Sequence, residues 1–236
     1  MRVLALDTST PRAFAAAVEH GTLIHVATSD KPTTHAERLL GLVREVLDKS
    51  GWGADGTQLV VVGKGPGSFT GVRVGVATAK GWAFARRIPL VGVVSLDAIA
   101  YGAQLVRGGQ AGVAVMDARK GEVFAAAYDE SGRRVVEPTH LPRGSVQTWL
   151  GETEAATRLT FRWMVGEVAG SLGIRPDLVM SSPATDLPSP AAVAALGVER
   201  WAATRLDELL VLDPLYVRPP DITLPAAKST PVDGSA

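Results

Sequence analysis

The stretch Gly63-Lys64-Gly65-Pro66-Gly67-Ser68-Phe69-Thr70-Gly71-Val72-Arg73-Val74-Gly75 lies between an apolar run, Leu59–Val62, and a predicted helix over 74–87. A strand, a glycine-rich turn and the start of a helix bring backbone N–H groups together, which makes such a turn a potential anion site. The spacing fits neither common phosphate motif: no Lys follows the second glycine of a Walker A frame, and the glycines miss G-x-G-x-x-G by one residue. The stretch is therefore either a different anion site or a place of close packing.

The composition is that of an ordinary folded protein. With 236 residues the chain can form one large domain or two small ones. Apolar residues make up 46% and charged residues 20%, which allows a normal core and argues against wholesale disorder. The 24 basic residues equal the 24 acidic ones, so charge alone does not predict strong autonomous binding to nucleic acid. The absence of cysteine excludes disulfides, thiolate zinc sites and a cysteine nucleophile.

The distribution of apolar residues predicts where the protein resides. The chain opens on one short strand that ends in an acid, which is unlike a signal peptide. No run reaches the roughly 18 apolar residues of a membrane-spanning helix. We therefore expect a cytoplasmic protein with no membrane partner.

The first half of the chain alternates strand and helix signals. The turn at His20-Gly21 separates two of the strands, and Gly51 ends the first helix. Ser95 is predicted to cap the last helix of this half. The patterns predict strands over 3–6, 13–18, 23–28, 59–62 and 90–93, and helices over 34–49, 74–87 and 95–104.

The second half opens like the first, with a strand, an acid, a turn and two more strands. Gly108–Gly112 is the best candidate for the hinge between the halves, and Pro190 suits the first position of the last helix. The patterns predict strands over 113–116, 122–128, 134–136 and 160–165, helices over 145–150, 167–173 and 190–206, and an extended segment over 215–220. Pro, Ala, Ser and Gly dominate 223–236, which predicts a disordered tail.

Two halves that each begin with an acid-terminated meander suggest an actin-like, duplicated α/β architecture. We expect an N-terminal lobe over 1–107, used for dimerisation, and a C-terminal lobe over 108–222 whose last helix packs back on the first lobe. Five segments and a short C-terminal one make the resemblance more specific, because they are similar to the TsaB (YeaZ) family: Val3–Thr10, His35–Leu40, Gly65–Gly81, Val91–Ala98, Met116–Phe124 and Pro214–Arg218.

The resemblance implies a fold and a role. The fold would be a duplicated actin-like (ASKHA, ribonuclease H-like) α/β fold with two lobes, each a mixed sheet flanked by helices. The protein would form a heterodimer with a TsaD-like transferase, which modifies adenosine 37 of tRNAs reading codons that start with A. It would lack catalysis itself, act with a TsaE-like ATPase, and contact tRNA indirectly through the complex. The fold also admits an alternative function, that of an ATPase or small-molecule kinase.

Metal ligands distinguish such a partner from the transferase. TsaD-like enzymes are similar in fold but hold a metal through a His-x-x-x-His pair on the helix that corresponds to 96–104, and this chain has no histidine there. Its four histidines include no pair spaced three or four apart, so we predict no metal site and no catalytic residue. We interpret His35, at the start of the first helix, as a surface or interface residue.

The acid Asp7 has two interpretations. In actin-like ATPases an acid at this place contacts nucleotide through water and metal; alternatively, Asp7 holds its own turn by local hydrogen bonds. We favour the second, because Ala118 and Arg119 follow Asp117 where such ATPases have a glycine that lets backbone approach phosphate. ATP or ADP at the partner interface remains open, and the predicted cleft residues are Asp7, Ser68, Thr70, Asp117 and Arg119.

The glycine-rich stretch itself also has two interpretations. Its hydroxyls and Arg73 could hold an anion, but Gly71, Gly75 and Ala79 fall on one helical face, where small residues let another helix approach closely. We favour docking of the first helix, or of an equivalent helix across a heterodimer or homodimer interface; packing within one subunit is the alternative. The predicted partner interface comprises His35, Leu39, Leu40, Val43, Gly71, Val72, Gly75, Val76 and Ala79.

Overall fold

Two sheets, one in each half of the chain, organise the protein. The computed structural model describes residues 1–29, 35–53, 55–175, 177–178 and 186–218, except for the side chains of 35–37 and 107. The tail predicted over 223–236 lies outside these residues. Within the described part of the chain, no helix combines the length and apolar character needed to cross a bilayer.

The first sheet has five strands. Its strands are β1 (Arg2–Asp7), β2 (Ala13–Glu19), β3 (Thr22–Ser29), β4 (Leu59–Gly63) and β5 (Leu90–Val93). The order across the sheet is β3-β2-β1-β4-β5. The first three strands form an antiparallel meander, while β4 runs parallel to β1 and β5 runs parallel to β4.

Alternating residues of β1 face two different helical layers. Leu4 and Leu6 pack with the first two helices, whereas Val3 and Ala5 pack with the last helix on the other face. This period of two is what a strand covered on both faces requires. The helices of the chain are α1 (His35–Lys49), α2 (Phe69–Arg86), α3 (Ser95–Arg107), α4 (Val146–Thr157) and α5 (Pro190–Thr204).

The second sheet repeats the plan with four strands. Its strands are β6 (Ala111–Arg119), β7 (Glu122–Tyr128), β8 (Arg134–Pro142) and β9 (Phe161–Val165), in the order β8-β7-β6-β9. The first three again form an antiparallel meander, and β9 runs parallel to β6. One face packs on α4 and the other packs on α3.

Helix α3 joins the two lobes, and α5 packs on the first of them. Ala98 of α3 belongs to the core of the first lobe, whereas Leu96 and Ile99 belong to that of the second. Helix α5 packs on the first sheet, and at Gly197 it approaches β4 so closely that a Cβ would lie 2.3 Å from the Val61 side chain. The last helix therefore covers the first lobe, although it follows the second lobe in the sequence.

Several local predictions are confirmed. His20 and Gly21 both have positive φ, at 50° and 82°, as a two-residue hairpin turn requires. Gly51 follows α1 with φ 73°, and the Trp52 N–H donates to the Leu47 carbonyl, which is the Schellman pattern. Pro190 lies in the first turn of α5 as predicted, and the Ser189 hydroxyl, which was not predicted to do so, caps the helix.

Other predictions are wrong for reasons that lie elsewhere in the chain. Helix α2 begins at Phe69 instead of residue 74, because the Ser68 hydroxyl accepts the Gly71 N–H and caps the helix earlier. Ser95 does not cap α3, since Val94 precedes the helix without a side-chain bond and the Ser95 hydroxyl donates to Asp7. The helix predicted over 167–173 is a single turn, Ala169–Ser171, between glycines 166 and 173 of positive φ.

Candidate functional site

A cleft of about 390 Å³ lies between the two lobes. The β1–β2 turn and the loop before α2 line it from the first lobe, and the β6–β7 hairpin lines it from the second. Four of the five predicted cleft residues line the cleft: Ser68, Thr70, Asp117 and Arg119. The fifth, Asp7, does not.

Asp7 lies beneath the cleft and is fully engaged by its own chain. Its Oδ1 accepts hydrogen bonds from the Ser9 N–H at 2.7 Å and the Ser9 hydroxyl at 2.6 Å, and its Oδ2 accepts one from the Ser95 hydroxyl at 2.8 Å. Only 1% of the residue is exposed. Burial raises the pKa of Asp7 above its usual value, while the three hydrogen bonds oppose that shift. A Cβ at Gly63 would lie 1.8 Å from Oδ2, so this glycine makes room for the carboxylate.

The glycine-rich loop covers the β1–β2 turn. The Ser68 N–H donates to the Ser9 carbonyl at 2.7 Å, and a Cβ at Gly67 would lie 2.2 Å from the same oxygen. Here Gly67 is needed for close contact with the chain itself. Residues 67–68 therefore cover the backbone of the β1–β2 turn at Ser9.

The β6–β7 hairpin places a paired acid at the other wall of the cleft. Asp117 Oδ1 accepts the Arg119 N–H at 3.0 Å and a guanidinium N–H of Arg143 at 3.2 Å. Arg119 itself has φ 65° and a largely exposed side chain, whose guanidinium lies 3.4 Å from Asp117 Oδ2. Asp117 thus pairs with two arginines, and its single negative charge offsets one of their two positive charges.

The C-terminal segment supplies cleft residues that the sequence analysis did not identify. The Tyr216 ring lies 5.2 Å from that of Phe69, and the Tyr216 hydroxyl accepts a hydrogen bond from Arg73 Nε at 2.8 Å. The Arg73 guanidinium also lies 4.2 Å from the centre of the Phe69 ring. Arg218 donates to the Ala118 carbonyl at 2.9 Å. In the sequence, this segment was marked only by the similarity over 214–218, and that similarity did not indicate that the segment lies in the cleft.

The predicted partner interface is corrected by the structure. Leu39, Val43, Val72, Val76 and Ala79 are buried in the core of the first lobe, so they offer no surface to a partner. These five residues therefore pack within one subunit, which was the alternative interpretation of this face.

The two glycines of that predicted face contact the β1–β2 turn and not a helix. A Cβ at Gly71 or at Gly75 would lie 2.2 Å from the carbonyl or the hydroxyl of Thr8, respectively. The Thr8 hydroxyl also donates to the Gly71 carbonyl at 2.7 Å. The side chain of His35 lies outside the described residues. Leu40 alone among the predicted interface residues has a described, exposed side chain, with 56% exposure.

The opposite face of α2 forms a surface groove with α1, which we call the α1–α2 groove. Ala77, Gly81 and Ala85 are exposed on α2 at the same four-residue spacing, and a Cβ at Gly81 would meet no heavy atom within 4 Å. The Arg86 guanidinium lies over the Trp82 ring, 3.4 Å from its centre. Residues Leu40, Arg44, Leu47, Asp48, Ala77, Thr78, Gly81, Trp82 and Arg86 line the groove.

Comparisons with known proteins agree with this architecture. A family model described as TsaD, tRNA N6-adenosine threonylcarbamoyltransferase, matches residues 25–149. The tRNA threonylcarbamoyladenosine biosynthesis protein TsaB of Escherichia coli (strain K12) is 39% identical over 134 residues, covering 56% of this chain and 58% of that protein. The structure of YeaZ from Pseudomonas aeruginosa is 27% identical with a TM-score of 0.73, over 91% of this chain and 99% of that one. The chain belongs to the TsaB (YeaZ) family.

The match to the Escherichia coli relative spans little more than half of that protein. A polyphosphate/ATP-glucomannokinase from Arthrobacter sp. strain KM has a TM-score of 0.52 at 11% identity, covering 84% of this chain and 99% of that one, a likeness of fold alone. With the YeaZ structure and the two meanders, it confirms the predicted duplicated, actin-like α/β fold. The predicted membership of the TsaB (YeaZ) family is confirmed as well.

Metal ligands are the last feature of the site. Among the described residues, no group of three or more His, Asp or Glu side chains lies close enough to hold a metal ion. Asp7 and Asp117 are instead engaged by hydroxyls and a guanidinium group of the chain.

Proposed function

We propose that this chain is a non-catalytic partner of a TsaD-like transferase, required for threonylcarbamoyladenosine formation at position 37 of tRNAs reading codons that start with A. The two proteins form a heterodimer, a TsaE-like ATPase joins them, and tRNA is contacted through the complex. The name of the Escherichia coli relative, a threonylcarbamoyladenosine biosynthesis protein, supports the pathway. The family model, named for the transferase itself, supports a related fold.

The observation that supports the non-catalytic role is that Asp7 is buried and that both of its carboxylate oxygens accept hydrogen bonds from the chain. An actin-like kinase or ATPase needs an acid that reaches metal-bound phosphate. In this chain Ser9 and Ser95 occupy both oxygens of Asp7, and residues 67–68 cover the turn above it. Freeing the carboxylate would break three hydrogen bonds and expose a buried cluster, which argues against the alternative function of an ATPase or small-molecule kinase.

The surface that supports binding to the transferase is the α1–α2 groove. It combines an exposed apolar side chain, Leu40, with a stripe of small residues that would let a partner helix approach closely. Such a patch on a first lobe whose sheet is otherwise covered on both faces is typical of a protein–protein contact. The groove replaces the buried face that the sequence predicted as the interface.

The test combines the chain with the TsaD-like and TsaE-like proteins of the same cell and with unmodified tRNA. We expect a complex on size exclusion, and modified nucleoside by mass spectrometry only when all components and the threonylcarbamoyl donor are present. We also expect no ATP turnover by the chain alone. ATP turnover by the chain alone that disappears in a folded Asp7→Asn variant would overturn the non-catalytic role. Full modification without the chain would overturn the requirement for it.

A further inference from the structure

In the described part of the chain, the two sheets end in four edge strands, and three of these edges are protected. An edge strand presents a row of unpaired N–H and C=O groups, which proteins commonly blunt with a covering segment, charged side chains, proline or a bulge. Strand β5 is covered by the Glu208 N–H, which donates to the Leu90 carbonyl at 2.9 Å, and β9 by the Leu178 carbonyl, which accepts the Met164 N–H at 2.7 Å. Strand β8 contains two prolines, which have no N–H to offer. The remaining edge strand is β3.

Strand β3 lacks these protective features from His25 onward. The eight residues of Thr22–Ser29 include no proline and no Lys, Arg, Asp or Glu. The register shift of the β2–β3 pair lies between Leu23 and His25, next to the hairpin, and the residues from His25 to Ser29 pair with β2 without interruption. Among the residues that the structure describes, no backbone hydrogen bond joins β3 to an element other than β2. The outer N–H and C=O groups of β3 are therefore accessible to another strand.

The side chains at this edge are apolar or balanced in charge. Leu23 and Ile24 are 41% and 43% exposed. His25, the one titratable residue of β3, turns toward α1, where its Nε2 lies 3.6 Å from the Glu45 carboxylate. By helical spacing, Arg38 and Lys49 share the side of α1 on which Glu45 lies, so charges of both signs border the strand. An identical strand would thus meet no row of like charges along β3.

We infer that β3 pairs antiparallel with β3 of a second copy of this chain and joins the two first sheets into one. A twofold axis at the edge of the sheet brings the same strand of each copy together in opposite directions, so unpaired N–H groups of one copy meet unpaired C=O groups of the other. A strand of a different protein would be selected by side-chain pockets along the edge, whereas β3 offers small and aliphatic side chains.

This pairing is independent of the proposed function. Glu45 lies on the β3 side of α1, whereas Leu40 and Arg44 line the α1–α2 groove. The two surfaces are therefore on different sides of α1, and a dimer through β3 leaves the groove accessible. Failure of the chain to bind a TsaD-like transferase has no bearing on the pairing of β3.

Sedimentation equilibrium tests the pairing with the purified chain alone. We expect wild type to dimerise within the range of about 2–200 µM. The double variant Ile24→Lys/Thr28→Lys places lysines at two exposed positions of β3, and with the twofold axis near Val26 each lysine faces one of the other copy. Its dimerisation should weaken at least roughly tenfold, because like charges across an interface oppose association. The control Gln147→Lys/Ala155→Lys adds the same charge at exposed positions of α4 and should dimerise like wild type.

Hydrogen exchange of wild type locates the interface without any substitution, and it decides alone if the lysine variant does not fold. Backbone amides within 25–29 should be more protected in the dimer than in the dilute monomer, because pairing engages N–H groups that a monomer leaves to water. Amides of β8 should exchange equally in both. Wild type that stays monomeric up to about 200 µM overturns the inference. So does new protection that falls outside β3, or a folded lysine variant that dimerises as tightly as wild type. Equal weakening in the α4 control would also overturn it, since the effect would then come from net charge and not from the strand edge.

Discussion

At the residue scale, two aspartates in the same local motif have pKa values shifted in opposite directions. Asp7 and Asp129 each accept hydrogen bonds from the backbone N–H and the hydroxyl of the serine two residues later. Burial raises the pKa of Asp7, whereas the hydrogen bond from the Ser131 hydroxyl lowers the pKa of Asp129. The motif fixes the hydrogen bonds, but the depth at which it lies decides which protonation state the fold prefers.

The pH dependence of stability should separate these two aspartates. The folded pKa of Asp7 lies above its unfolded value of 3.8, so wild type should lose stability relative to Asp7→Asn as the pH rises from 3.8 through the folded pKa. The folded pKa of Asp129 lies below 3.8, so the stability that its carboxylate contributes is present above 3.8 and is lost as the pH falls through the folded pKa. Urea unfolding over a series of pH values measures both. If the stability contributed by Asp7 and the stability contributed by Asp129 changed with pH in the same direction, the opposite pKa shifts would be contradicted.

Removing the Asp7 side chain should destabilise the fold itself. Asp7→Ala leaves the Ser9 and Ser95 hydroxyls without their acceptor in a buried place, and we expect a loss of about 1–3 kcal/mol in the free energy of unfolding. Asp129→Ala, at a surface turn, should cost less because water can replace the carboxylate. Equal losses in urea unfolding at neutral pH would show that the cluster beneath the cleft is no more important than a surface turn.

At the scale of the element, α2 has two stripes of small residues, one buried within the chain and one exposed to solvent. Gly71, Gly75 and Ala79 are buried against Thr8 and the sheet, while Ala77, Gly81 and Ala85 are exposed on the other side. Both stripes have a four-residue period, so the helical pattern alone does not tell which of them is covered by the chain. The distinction depends on Thr8, which lies 63 positions before Gly71 in the sequence.

The same substitution in the two stripes should change stability in opposite directions. Gly75→Ala places a Cβ 2.2 Å from the Thr8 hydroxyl and should destabilise, although alanine favours helix by about 1 kcal/mol. Gly81→Ala meets no neighbouring atom and should stabilise by about 0.5–1 kcal/mol. Thr8→Ala combined with Gly75→Ala removes the clash, so the double variant should lose less stability than the two single changes together. A stabilising Gly75→Ala would show that α2 does not approach the turn as described.

Binding should respond to the exposed stripe alone. Gly81→Gln adds a long side chain in the α1–α2 groove while improving helix propensity, so we expect a folded protein whose complex with the TsaD-like transferase is weakened at least roughly tenfold. Gly151→Gln in α4 is the matched control, since this helical glycine also has open space around it. Calorimetric titration measures both affinities. Unchanged affinity for Gly81→Gln would exclude the groove as the docking surface.

At the scale of the whole molecule, one segment near the C-terminus ties the layers together. Glu208 accepts the Gly92 N–H at 2.8 Å and thereby covers the edge strand β5. Further along, the Leu215 N–H donates to the Lys64 carbonyl at 2.7 Å in the first lobe, whereas Arg218 reaches Glu122 in the second lobe at 2.9 Å. The segment therefore crosses the mouth of the cleft while bonded to both walls.

The sequence could predict the parts of this fold that repeat over short distances. Alternation in β1, the turn at His20-Gly21 and the cap at Ser189 are local, and together with the two meanders they define a duplicated α/β plan. The partners of Ser95 and Arg73 lie 88 and 143 positions away, and no local pattern encodes such distances. For the same reason, the buried stripe of α2 was predicted as a partner interface and the exposed groove was missed.

The bridging segment should hold the two walls of the cleft in register. Arg218→Ala removes the donors to the Ala118 carbonyl and to Glu122, so the segment loses these bonds to the second lobe but keeps the packing of Leu215 and Val217 against the second-lobe core. Because the lost pair is partly exposed, we expect a fall of no more than about 1 kcal/mol in the free energy of unfolding. Native-state hydrogen exchange should nevertheless be faster at the Leu215 amide and along the β6–β7 hairpin, since local opening no longer breaks a bond between lobes.

Arg133→Ala, which removes an ion pair at a surface turn of the same lobe, is the control and should leave the exchange rate of the Leu215 amide unchanged. Equal exchange at Leu215 in wild type and Arg218→Ala would mean that the Arg218 bonds do not hold the segment and that packing of Leu215 and Val217 is sufficient.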